Sequence, residues 1–396
     1  MNNLSINLPY LNVIIITFLH YYDEISHKND IIFTENLIRV LVFMLLKGDY
    51  NKIEPASGAI IMACGIFLIG AVEAFPTLDV EYGKYLAFFL LIAWVIIYKD
   101  LSIQFFHRDF LVPFIQNPVN SFVIGTWIAG VSVLCNVFLR YFPEILLLTQ
   151  AMAIFNTFLW LFFLVNCFYN FKQLLFDYTD FPVHGAILLS TVGTQSIVIL
   201  LNNVFFQLPV YFAEAMIVLG LVFYLAGTIL LFNRYIRHHN WTLADDWANT
   251  NCIIHGALSI TGLAIVTTNT FTPGFVTYFW FLVFILLIIV EAIEVLRVVN
   301  RIKQYGWNKA FFTYDVTQWS RNFTFGMFYT FTLVMQANPF YPIAEGLYNF
   351  QRTFLDYWAW VVLAAILWEI AIFIKARLTE LYNEKLILTN TNQKEG

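Results

Sequence analysis

Ten apolar stretches run through this chain, near 57–73, 84–98, 119–139, 143–171, 183–203, 209–232, 249–269, 275–296, 321–336 and 357–374. The glycines fall almost entirely on every second one. The odd stretches hold Gly58, Gly65, Gly70, Gly125, Gly130, Gly185, Gly193, Gly256, Gly262 and Gly326; the even ones hold only Gly220 and Gly227. Small residues in a membrane helix mark close backbone approach or a helix that lines a path. The alternation therefore predicts an all-α polytopic membrane protein. Ten transmembrane helices would form five helical hairpins around a central pore, with an inner ring of odd-numbered helices.

Composition supports a membrane chain: 60% of the 396 residues are hydrophobic and 12% are charged, where globular domains carry roughly 25% charge. Most stretches reach the roughly 17–25 residues that cross a bilayer. The domain reading is an N-terminal cytoplasmic or interfacial segment over 1–54, a ten-helix transport domain over 55–376 and a cytoplasmic tail over 377–396. The runs Leu11–Leu19 and Leu37–Leu46 read as interfacial or packing helices. Cys64, Cys135, Cys167 and Cys252 lie in or beside apolar stretches with no metal-like spacing, so they read as packing residues. No basic block points to a nucleic-acid partner.

Lysine and arginine set the orientation. With the N-terminus inside, 18 of them fall on the inner side and only Lys84, Arg140 and Arg352 on the other. That split predicts both termini in the cytoplasm, in a multi-pass protein of the cell's inner or plasma membrane. The odd stretches begin near 57, 119, 183, 249 and 321, in steps of 62, 64, 66 and 72 residues. A two-helix repeat unit fits those steps. His184-Gly185-Ala186 and His255-Gly256-Ala257 offer a short match between units, with chance as the alternative.

All five inner helices would point their N-termini at the cytoplasmic mouth. Each N-terminus is equivalent to roughly half a positive charge, so the mouth should concentrate anions. The expected partners are small inorganic or organic anions and the lipid bilayer; no cofactor or metal is implied. The inner stretches carry hydroxyls and amides: Thr126, Ser190, Thr191, Thr194, Gln195, Ser196, Ser259, Thr261 and Thr324. Such groups donate to a passing anion without trapping it, or bond between helices and to their own backbone. Glu291, Glu294 and Glu369 sit on even stretches and read as snorkelling or as paired with Arg297 or Lys375. His184, His255 and Arg321 fall at the cytoplasmic ends of inner helices. His238 and His239, near Asp245 and Asp246, match no familiar metal-ligand spacing. That loop is also the one cluster that an enzyme reading could use. Phe325, beside Gly326, reads as a packing ring or as one that closes a lumen by steric and dewetting effects.

Several segments resemble the tellurite-resistance/dicarboxylate transporter family: Pro55–Gly70 (PASGAIIMACGIFLIG), Asn117-Pro118, Thr191–Leu200 (TVGTQSIVIL), Trp247–Ala264 and Trp319–Phe328. The family includes bacterial TehA-type channels, fungal malate permeases and plant slow anion channels. The resemblance implies an anion channel, a trimeric assembly and a phenylalanine on the ninth span that occludes the pore. That role maps onto Phe325, so Phe325→Ala is expected to raise chloride or nitrate conductance. Many relatives carry proline after this phenylalanine; here Gly326 stands, which predicts a less kinked helix. The expected lining is Gly65, Gly130, Gly193, Thr194, Gln195, Gly262, Thr324 and Gly326. The competing reading is a proton-coupled carrier of malate-like dicarboxylates, or an exporter of oxyanions such as sulfite or tellurite. It needs a titratable group and a cationic clamp, for which Arg321 is the nearby candidate.

Overall fold

A computed structural model of the chain describes residues 53–176, 181–206, 208–237 and 241–392, with side chains as far as 379. The runs Leu11–Leu19 and Leu37–Leu46 and the His238-His239 pair lie outside the described residues.

The helices are α1 (Gly58–Ile69), α2 (Gly83–Phe106), α3 (Arg108–Gln116), α4 (Ile124–Tyr141), α5 (Leu146–Phe176), α6 (Leu189–Val204), α7 (Val210–Arg237), α8 (Ile253–Thr268), α9 (Pro273–Phe311), α10 (Trp319–Ala337) and α11 (Glu345–Asn392), and no strand occurs among the described residues. Counted with their leading turns, α2, α4 to α9 and α11 make 8 helices long and apolar enough to cross a membrane. The protein is therefore a membrane-embedded helical chain, and two of the ten expected spans fall short. Pro55–Ile69 is apolar but shorter than a span. It stops at Gly70 (φ −120, ψ −79), where a Cβ would meet Thr330, and the chain continues as the short turn Ala71–Ala74. The second, α10, has 19 residues but carries Ser320, Arg321, Asn322, Thr324, Thr330, Thr332 and Gln336. It is unbroken at Gly326. The helix α11 runs on through 377 to Asn392.

Contacts between helices close a cycle: α1 packs on α4, α4 on α6, α6 on α8, α8 on α10, and α10 back on α1. The remaining long helices wrap it, α2 on α1, α5 on α4, α7 on α6, α9 on α8 and α11 on α10. Burial follows this order. The most apolar windows of α4, α6 and α8 are 83%, 89% and 94% buried, against 22–44% for the five wrapping helices. The wrapping helices turn Phe155, Phe158, Phe162, Val222, Leu225, Ile285 and Ile289 outward. Exposed side chains of that kind belong in a lipid phase.

Each central helix begins with a 3-10 turn: Pro55–Ser57, Asn120–Val123, Gly185–Leu188, Asn249–Cys252 and Val316–Gln318. Side chains just before three of these turns cap them. Asn117 Oδ1 accepts from the Val119 and Asn120 amides at 3.0 Å, His184 Nδ1 from the Ala186 amide at 3.4 Å, and Asp315 Oδ1 from the Thr317 amide at 2.8 Å. Neighbouring turns are tied together. The Gly185 amide donates to Asn251 Oδ1 at 2.9 Å, Asn249 Nδ2 to Thr317 Oγ1 at 3.0 Å, and Trp127 Nε1 to the Pro55 carbonyl at 2.6 Å. The result is a collar at one end of the cycle. It also corrects the tripeptide match: His184 precedes its turn and caps it, whereas His255 lies inside α8. The two are out of register.

The inner glycines seat helix on helix. A Cβ on Gly125 would lie 2.5 Å from the Leu189 carbonyl oxygen, and one on Gly58 2.9 Å from Thr126 backbone. Gly125→Val is expected to force α4 off α6 at a cost of about 1–3 kcal/mol. A thermal unfolding midpoint in detergent equal to wild type would contradict that seating.

Candidate functional site

The side chains that face the interior of the cycle follow from the contacts of each helix. Residues turn by about 100° along an α-helix. On α10, Thr324 and Phe331 meet α8 at Gly256 and Gly262, while Gly326 and Thr330 meet α1 at Ile66 and Gly70. Arg321, Phe325, Phe328 and Thr332 meet the wrapping helices at Glu291, Trp358, Trp280 and Trp280 respectively. The remaining arc of α10, between its two cycle neighbours, carries Phe323, Met327 and Val334. On α1, Gly58 and Gly65 meet α4, Ile66 and Gly70 meet α10, and Met62 lies between. On α4, Val133 meets α1 and Gly125 meets α6, with Ala129 between. On α6, Thr191 and Gln195 reach α7 and Gly193 reaches α4 and α5, leaving Val192 and Ser196 inward. Met62, Ala129, Val192, Ser196, Phe323 and Met327 are each no more than 2% exposed. At these positions the interior is closed, with Ser196 its one polar side chain.

Phe325 stands elsewhere than expected. Its ring centroid is 5.1 Å from Trp358 of α11 and 6.5 Å from His255, and its carbonyl accepts from Trp358 Nε1 at 3.3 Å. It faces the wrapping layer, because two residues along a helix turn the direction by about 200°. Phe323 is the ring on the inward face. The residues expected as lining lie at helix contacts. Gly65, Gly130, Gly193, Gly262 and Gly326 abut Val133, Tyr98, Phe163, Phe331 and Ile66. Thr194 donates to the Ser190 carbonyl at 2.8 Å and accepts from Trp160 Nε1 at 3.2 Å. Gln195 Nε2 donates to the Ile217 carbonyl at 3.0 Å, and Thr324 to the Arg321 carbonyl at 2.9 Å. These donors are spent between helices or within their own helix, while Gln195 Oε1 is buried without a partner. Ser196 keeps an inward position by these contacts, and it donates to the Gly193 carbonyl at 2.8 Å.

The three residues expected at the mouth also separate. His184 sits in the collar, 3.0 Å from Thr250 Oγ1. Burial, and then the Arg234 charge, push its imidazole down to about 4. It caps its turn as a neutral acceptor. His255 and Arg321 instead join an ion cluster between α8, α9 and α10. Arg321 Nη2 lies 3.0 Å from Glu294 Oε2 and its Nε 3.5 Å from Glu291 Oε2. Arg297 Nη1 lies 2.9 Å from Glu294 Oε1 and 2.6 Å from Asn249 Oδ1. His255 Nε2 lies 3.7 Å from Glu291 Oε1. Glu294 pairs with Arg297 as expected, but Glu291 pairs with Arg321, from the next central helix. Glu369 is 4% exposed with Oε1 unpartnered, rather than paired with Lys375. Two carboxylates against two guanidiniums leave Arg321 neutralised, so it supplies no free positive charge at the interior.

At the opposite end, Arg140 of α4 is held by three groups. Its Nη1 donates to the Ile69 carbonyl at 3.1 Å and to Glu73 Oε1 at 2.6 Å, and its Nη2 to Asp79 Oδ2 at 2.7 Å. Tyr141 donates to Asp79 Oδ1 at 2.5 Å. This network joins the end of α4 to the end of α1 and the approach to α2.

Sequence reasoning missed Phe323, Met327, Met62 and Val192. The available signal was a bulky apolar residue in helical register on each odd stretch, with nothing to say which face it took. Among the described residues no group of three or more His, Cys, Asp and Glu could hold a metal ion. No family model matches the chain, and no curated protein matches it significantly.

Proposed function

We propose that this protein carries small anions across a membrane through the interior of the five-helix cycle. In this reading ten helices cross as five hairpins, both termini are cytoplasmic, and the apolar side chains at the axis are a closed gate. The observation that carries it is the closed cycle of buried helices whose N-terminal turns share one end, wrapped by helices with exposed apolar faces. Five N-termini at one mouth favour anions. The interior has no fixed charge to trap them, and an apolar constriction closes by expelling water. The resemblance to the tellurite-resistance/dicarboxylate transporter family points the same way, and with it comes the expectation of a trimer.

Purified protein in liposomes tests this reading. Nitrate and chloride should cross under an imposed potential while potassium does not. Leak no greater than in protein-free liposomes, for every anion tried and with the gate opened by mutation, would overturn it.

One observation favours the second reading, a proton-coupled carrier of dicarboxylates or oxyanions. The cluster around His255 and Glu291 supplies a titratable group on a central helix. Saturable malate uptake driven by a pH gradient, without potential-driven nitrate current, would select the carrier.

A further inference from the structure

His255 is fully buried, and neither ring nitrogen has a hydrogen-bond partner. A neutral imidazole has one N–H to give and one lone pair to receive, and leaving both unmet in an apolar interior is costly. Glu291 Oε1, 3.7 Å from Nε2, is also without a hydrogen bond. The two unmet groups are complementary, and a shift of about 1 Å would bring them to charge-assisted hydrogen-bond distance. The Glu291 side chain is 22% exposed.

The surroundings link this pair to the gate. The charged groups facing it are Glu291, Glu294 and Arg297 from α9 and Arg321 from α10. Cys252 precedes it at the start of its own helix, and α7 brings the Tyr224 hydroxyl, which donates to the Ile254 carbonyl at 3.1 Å. From α11 comes Trp358, against Phe325. Glu291 is shared: Oε1 faces His255 and Oε2 faces Arg321 of α10 at 3.5 Å. One turn on, Phe325 lies against the imidazole, with ring planes 27° apart. The same helix presents Phe323 and Met327 to the interior.

We propose that His255 and Glu291 form a proton-binding site that sets the position of α10 and so the opening of the interior; this rests on the transport reading above. One proton moves from water to a free ring nitrogen, and no covalent bond between heavy atoms forms or breaks. The imidazolium draws Glu291 to itself and away from Arg321. The four-charge cluster, balanced before, gains one positive charge. Arg321 then holds α10 to α9 through Glu294 alone, and the helix is free to turn Phe323 off the axis.

The test compares nitrate flux into liposomes for wild type, His255→Gln and Glu291→Gln. Wild-type flux is expected to rise about tenfold between about pH 7 and about pH 5, and both variants should lose that dependence. A wild-type pH profile in either variant would overturn the proposal. A second readout does not need transport. Protein labelled with 13C on the histidine rings, in nanodiscs, should show one resonance that shifts over that range and is absent from His255→Gln. If no such resonance shifts, the proton site is excluded whatever the flux does. If it shifts but wild type and gate-opened variants pass no anion, the transport reading fails and the proton site stands.

Discussion

Phe323→Ala should raise nitrate flux about tenfold or more over wild type, while Phe325→Ala should leave it within about twofold. The two rings are two residues apart on α10 and face opposite ways. Phe323 is 2% exposed on the arc between the contacts to α8 and α1. Truncating it removes the bulkiest side chain of the apolar plug, and water enters where the plug thins. Phe325 packs between His255 and Trp358, outside the cycle. Truncating it leaves a cavity there, which costs about 3–5 kcal/mol of stability without opening the interior. Flux measured beside the unfolding midpoint separates the two effects. The reverse pattern, with Phe325→Ala conductive and Phe323→Ala silent, would put the gate where the family resemblance places it.

Glu294→Ala should destabilise the protein more than any single change at the opposite network. The Glu294 and Arg297 side chains are 7% and 8% exposed, and Glu294 also holds Arg321 at 3.0 Å. Removing the carboxylate leaves buried Arg297 with Asn249 alone and Arg321 with Glu291 alone. Breaking a buried pair in this way costs about 3–5 kcal/mol. Glu73→Ala is the contrast, since Glu73 is 45% exposed and Arg140 keeps Asp79 and the Ile69 carbonyl. Exposed pairs contribute about 1 kcal/mol or less. Unfolding midpoints in one detergent should fall far more for Glu294→Ala; equal shifts would mean that the cluster is not the joint that ties α9 to α8 and α10.

Much of the helix order was legible because glycine spacing reports close packing. Gly58, Gly125 and Gly262 sit on odd stretches, and each contacts another central helix. The wrapping helices are legible as continuous apolar runs, which lipid exposure demands. Face was not legible. Whether Phe323 or Phe325 points inward depends on the rotation of α10, which is set by partners far away in sequence: Gly256 under Thr324 and Ile66 under Gly326. The polar residues misled for a related reason. Thr194 and Gln195 look like a hydrophilic lining, yet in a medium without water their hydrogen bonds must close inside the protein. They close onto Trp160, the Ser190 carbonyl and the Ile217 carbonyl. Glu291 and Arg321 lie on separate stretches, and no spacing rule joins them. Only the packing of α9 between α8 and α10 does.

The central claim is that solutes pass inside the cycle, and cysteine accessibility tests it most directly. In a Phe323→Ala protein with the four native cysteines replaced, single cysteines would be placed at Ser196 and Met327 on the inward arcs and at Gln195 and Phe325 on the outward ones. A charged, membrane-impermeant thiol reagent should modify the first two and block nitrate flux, and leave the second two and their flux unchanged. Modification and block at Gln195 and Phe325, with Ser196 and Met327 protected, would contradict the account.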